Sequence, residues 1–94
     1  MKNPRNIVGP QLRRLRLQQK LTQQALADRC QVAGWDLSRD TLAKIEAQIR
    51  WVSDFELAFF AWILKVPAQM LLPDQPRLKA AVLDFIGRLE TTTE

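Results

Sequence analysis

The chain has no histidine and no tyrosine, one cysteine, three glycines and five prolines among its 94 residues. Without histidine it lacks the commonest general base and the usual partner of cysteine at a structural zinc. Cys30 alone makes no internal disulfide. Few glycines and prolines, set against 47% apolar residues, exclude a disordered or collagen-like chain. The longest apolar run, LAFFAWIL at 57–64, is eight residues, whereas spanning a bilayer takes about 20. No basic-then-apolar leader opens the sequence. Glycine-rich phosphate loops and nucleophile elbows are missing too. The expectation is a cytoplasmic protein that is no enzyme, with no cofactor, no metal and no membrane segment.

What is present is basic and helical. At 94 residues with a net charge of +4, the chain is long enough for one core. The charge is uneven: residues 1–50 hold ten Lys and Arg against four Asp and Glu, or +6, and residues 51–94 hold four against six, or -2. A basic half suits a surface that meets a polyanion, and equally a solubilising surface.

Five helices follow from the spacing of apolar residues. Pro10, after Gly9, opens a first helix with Leu12 and Leu15 on one face and Arg13, Arg14, Arg16 and Lys20 around the rest. Thr22 caps QQALADRC, where Leu26 and Cys30 stand four apart. QVAGWD breaks the period before Ser38 caps RDTLAKIEA. Ser53 and Glu56 form a capping-box start for FELAFFAWIL. A short turn between Pro67 and Pro73 precedes a fifth helix within 75–90, with Leu78, Val82, Phe85, Ile86 and Leu89 at helical spacing. No segment alternates like a strand, so the fold class is all-α.

Together LTQQALADRC, a turn, LSRDTLAKIE and the next helix resemble the Cro and phage-repressor helix-turn-helix family, the XRE type. The matching positions are Leu21, Thr22 and Gln23, then Leu37 and Ser38, then Ile45 and Glu46. The resemblance implies a compact five-helix lambda-repressor-like DNA-binding domain over 9–72. Before it lies a flexible arm at 1–8, and after it a C-terminal helix at 75–90 and a frayed tail at 91–94. The chain departs from the family in two places. QVAGWD inserts about five residues into the turn, at low cost in closure entropy, and Gln48 stands where glycine commonly ends the third helix. Trp35, in the insertion, is either a lid on the core or a side chain presented to DNA or a partner.

By this resemblance the third helix enters the major groove of double-stranded DNA. Arg39 and Asp40, at its start, and Lys44, one turn on, are then the candidates for base contact, Arg and Lys toward guanine and Asp toward cytosine. Gln23, Gln24, Ser38 and Arg50 are the candidates for the DNA backbone, with Arg5 and Lys2 adding nonspecific attraction. Without the resemblance, the same residues read as a solvated helix face. The family pattern also pairs Arg16 with Glu46 as a structural ion pair. Cys30 reads as a small buried hydrophobe.

The fourth helix is apolar almost all round, so Phe59, Trp62, Val82, Phe85 and Leu89 are candidates for a dimer or partner interface. The fifth helix either folds back in cis or packs across a homodimer. Two reading helices would then suit a pseudo-palindromic operator, and the function expected is a transcriptional regulator, a repressor. The alternative is an antitoxin or accessory protein whose C-terminal half binds a protein partner such as a toxin.

Overall fold

Each helix begins where a local stop to the preceding chain coincides with a cap. The structure, a computed structural model, describes residues 3–92. It contains α1 (Gly9–Gln18), α2 (Gln23–Val32), α3 (Arg39–Glu46), α4 (Asp54–Leu64), a 3₁₀ turn (Ala68–Leu71) and α5 (Gln75–Thr92). No strand occurs among the described residues. Thr22 Oγ1 accepts from the Ala25 amide and Ser38 Oγ from the Thr41 amide, both at 3.0 Å. Ser53 and Glu56 complete the reciprocal capping box of α4. α1 has no side-chain cap on its first residue's neighbour; instead Asn6 Oδ1 accepts from the Gly9 amide at 2.8 Å.

The core gathers one face from each of the first four helices: Leu12, Leu15, Leu26, Cys30, Leu37, Leu42, Ile45, Phe60, Leu64 and Leu71 are buried. Burial pushes the Cys30 thiol up to about 11, so it stays protonated and inert. α1 also closes the far end of the fold through polar side chains. Gln19 Nε2 donates to Leu64 O at 2.7 Å, at the end of α4, and Gln11 Nε2 donates to Leu72 O at 3.3 Å.

The inserted turn closes on itself. Gly34 adopts φ +111°, Trp35 N donates to Cys30 O at 2.9 Å, and Gln31 Nε2 donates to Leu37 O at 2.7 Å. Trp35 takes the lid position: its ring meets Phe60 at 5.0 Å and Phe59 edge-on at 5.3 Å. Edge-to-face packing of this kind adds to simple area burial.

The ends of the chain differ from expectation. The stretch read as a flexible arm is tied to the body, with the Arg5 amide donating to Gln48 O at 2.9 Å. Lys2 lies outside the described residues. α5 continues to Thr92, through the first half of the tail expected to fray, and residues 93–94 lie outside the described residues. α5 adds no residue to the buried core, yet it leans on the N-terminal stretch, where Arg88 Nη1 donates to Pro4 O at 3.2 Å. The radius of gyration is 14.0 Å, against about 12 Å for a compact chain of this length, and the molecule measures 44 × 24 × 21 Å. No helix among the described residues is long and apolar enough to cross a membrane.

Candidate nucleic-acid interface

α3 is held from beneath by a network that joins three segments. Arg16 of α1 donates Nε to Glu46 Oε2 at 2.7 Å and Nη2 to Glu46 Oε1 at 3.0 Å, and its Nη1 reaches Leu21 O at 2.7 Å. Gln23 at the start of α2 adds its amide to Glu46 Oε1 at 3.0 Å. Every donor that faces this buried carboxylate is therefore satisfied against it, which offsets the desolvation of both charges.

The opposite side of α3 is uncommitted. Arg39, Asp40 and Lys44 are exposed, and among the described residues their side chains enter no hydrogen bond or ion pair. Arg39 and Asp40 occupy the first two positions of the helix, and Lys44 lies four residues after Asp40. This places Asp40 and Lys44 on one face, one turn apart. Ser38 is spent on its own helix: besides capping Thr41 N, its hydroxyl donates to Thr41 Oγ1 at 3.0 Å.

The candidates for backbone contact divide. Gln23 is half-buried and directed at Glu46, leaving its main-chain amide in the first turn of α2, where helix geometry leaves N–H groups unpaired. Gln24 is exposed and donates to Asp28 Oδ1 at 2.8 Å. Arg50 is engaged rather than free. Its Nη1 and Nη2 grip Glu56 Oε1 and Oε2 at 3.0 and 3.1 Å, and Nη1 also donates to Trp51 O. The Arg50 hydrogen bond is the main cause that holds the Glu56 carboxyl below its usual range. In the sequence Glu56 reads only as a capping residue, and no periodicity links it to Arg50, because the chain from Arg50 to Ser53 is not helical.

The exit of α3 is left-handed at Gln48, φ +65°. A Cβ on Gly9 would strike Ile45 O and lie 2.9 Å from Glu46 O. Only glycine lets α1 start this close to the end of α3.

Of the apolar candidates, Phe59 is half-buried between Trp35 and Trp62, whose rings lie 5.3 and 5.7 Å away. Trp62 remains 65% exposed. Val82, Phe85 and Leu89 lie on the outer helix and are each nearly half exposed. They are joined there by Leu83 and Ile86, while Trp51 and Phe55 stand exposed near the start of α4.

A family model described as helix-turn-helix matches residues 12–71, the segment that carries this geometry. The chain belongs to the XRE-type helix-turn-helix family, a family of DNA-binding regulators. Its helix-turn-helix fold is similar to the crystal structure of the hypothetical transcription factor NHTF from Neisseria. The TM-score is 0.64 and the identity 26%, with 83% of this chain and 85% of that chain covered. No curated protein matches.

Proposed function

We propose that this helix-turn-helix protein is a sequence-specific regulator of transcription that reads double-stranded DNA with α3, acting in the cytoplasm. The observation that carries the reading is the contrast between the two sides of α3. One side is fixed by Leu42, Ile45 and the Arg16–Glu46 pair; the other presents Arg39, Asp40 and Lys44 without partners. A helix held rigidly by its scaffold with uncommitted charged side chains at its N-terminal end is suited to the major groove. Arg39 and Lys44 match guanine O6 and N7, and Asp40 matches cytosine N4. The first amides of α2 at Gln23 serve the phosphates, and Ser38, Gln24 and Arg50 join them if a phosphate displaces Thr41 Oγ1, Asp28 and Glu56 from their side chains.

The protein acts as a homodimer on a pseudo-palindromic operator. The half-exposed stripe of Val82, Phe85 and Leu89 on α5 supports this, because such a stripe can pack on its own copy across a two-fold axis. Two copies place reading helices on successive turns of the duplex, about 34 Å apart. Repression then needs only occupancy of promoter DNA.

The same exposed stripe, with Phe55 and Trp51, also favours a second reading in which a protein partner such as a toxin binds there and DNA binding is autoregulatory. The test is to incubate the protein with fragmented host genomic DNA at about 0.15 M salt, where nonspecific binding is weakened, and to sequence what is retained. Enrichment of a short two-fold-related site supports the regulator; featureless retention contradicts it.

A further inference from the structure

Asn6 makes three side-chain hydrogen bonds at once. Its Nδ2 donates to Ile45 O at 3.0 Å and to Arg50 O at 2.9 Å, and its Oδ1 accepts from the Gly9 amide at 2.8 Å. Its own carbonyl accepts from Gln48 Nε2 at 2.9 Å. One half-buried side chain therefore joins the last turn of α3, the chain leaving α3 and the first residue of α1. Ile45 O is among the carbonyls that helix geometry leaves without an i+4 partner. The turn between Ile45 and Arg50 passes through the left-handed Gln48, a conformation that persists only when its surroundings enforce it. A planar carboxamide supplies two donors and an acceptor in this arrangement. A carboxylate would face both carbonyls with oxygen, and an aliphatic side chain would take the side-chain donor from both, leaving Ile45 O with the Gln48 amide alone.

The ion pair of Arg16 with Glu46 is one attachment of α3 to α1, and Asn6 is a second near the other end of α1. Gly9 and Arg16 are seven residues apart, so the two attachments are separated by roughly 10 Å along α1. On α3 the two attachments meet at the adjacent residues Ile45 and Glu46, so together they clamp its C-terminal end, with Arg39 at the opposite end. Arg39 lies seven residues from Glu46, so a tilt of about 10° about that clamp shifts it by about 2 Å, well beyond the tolerance of a positioned functional group.

We propose that Asn6 is a positioning residue for DNA reading. It sets the angle of α3, and with it the reach of Arg39 and Lys44, while touching no DNA itself. This rests on α3 being the reading helix.

The test compares the full-length wild type with Asn6→Leu, and with Asn6→Asp, which keeps the acceptor for Gly9 N should the first variant fail to fold. Amide exchange is followed at Ala47, Gln48 and Ile49, which donate to Ala43 O, Ile45 O and Lys44 O, and at Leu26, which donates to Thr22 O in α2. Binding is measured on the duplex most enriched from genomic DNA and on a scrambled duplex of equal length. Exchange at the α3 exit is expected to rise about tenfold with Leu26 unchanged, a rise that local opening permits. The preference for the enriched duplex is expected to fall about tenfold while scrambled binding holds, the pattern of lost base contacts rather than lost phosphate contacts.

An unchanged preference, or an equal loss on both duplexes, overturns the positioning role alone. A wild type that shows no preference between the duplexes overturns the reading-helix assignment, and the proposal with it.

Discussion

Arg16 and Glu46 meet at two points, 2.7 Å from Nε to Oε2 and 3.0 Å from Nη2 to Oε1, with side chains only 7% and 3% exposed. Truncating one partner strands the other charge in the interior. Glu46→Ala is expected to cost about 3–5 kcal/mol in urea unfolding. Arg77→Ala removes a pair at 3.9 Å whose side chains are 80% and 63% exposed, and is expected to cost no more than about 1 kcal/mol. Equal stability of wild type and Glu46→Ala would contradict the role given to the pair.

Glu56 links stability to pH. Its carboxyl titrates below its usual 4.5 in the folded chain, chiefly because Arg50 hydrogen-bonds the ionised form. A folded value below the unfolded one means that the unfolded chain binds the proton more readily, so this contribution is complete above the ordinary glutamate range. It is lost as pH falls through the depressed value. Glu56→Gln keeps a capping-box side chain but not the charge. Its melting temperature should therefore decline less steeply in acid than that of the wild type, followed by circular dichroism. Parallel declines would assign the acid sensitivity elsewhere.

Gln48 carries its left-handed backbone without the benefit of being glycine. Gln48→Ala and Gln48→Gly both lose the bond from Nε2 to Asn6 O, yet only glycine relieves the backbone. The glycine variant should be the more stable of the two by about 1–2 kcal/mol. Equal unfolding midpoints would show that φ +65° costs nothing here.

Phe85 is 46% exposed, with the Arg88 guanidinium 5.7 Å from its ring centroid. Phe85→Glu should shift sedimentation from dimer to monomer and lower the unfolding midpoint only at protein concentrations where the wild type is dimeric. A wild type that sediments as a monomer at micromolar concentration would remove the dimer from the account.

Much of this fold is legible locally. Thr22, Ser38 and the Ser53–Glu56 box mark three helix starts because capping is a matter of three or four successive residues. Leu12, Leu15, Leu42 and Ile45 mark buried faces because the helical period is short. Helix-turn-helix resemblance carries further, pointing from Arg16 to Glu46 across thirty residues. Relationships without a local period stay hidden. Asn6 meets Ile45 and Arg50 only after α1 has packed on α3, and Gln23 turns its amide to Glu46 only because that carboxylate is already buried there. Arg50 reads as a free cation until Glu56 rotates onto it. The stripe of Val82, Phe85 and Leu89 has the same spacing whether it is covered by its own domain or by another copy, so periodicity cannot say that it stays half exposed.

The central claim is that α3 reads base edges through Arg39. The most direct measurement is the affinity of wild type and Arg39→Ala for the enriched duplex and for every single-base variant of one half-site. The alanine variant is expected to lose about 1–3 kcal/mol on the best site and to lose its discrimination at one base pair, keeping it elsewhere. A uniform loss across all variants, with a shallower salt dependence, would mean that Arg39 meets phosphate and would contradict the claim.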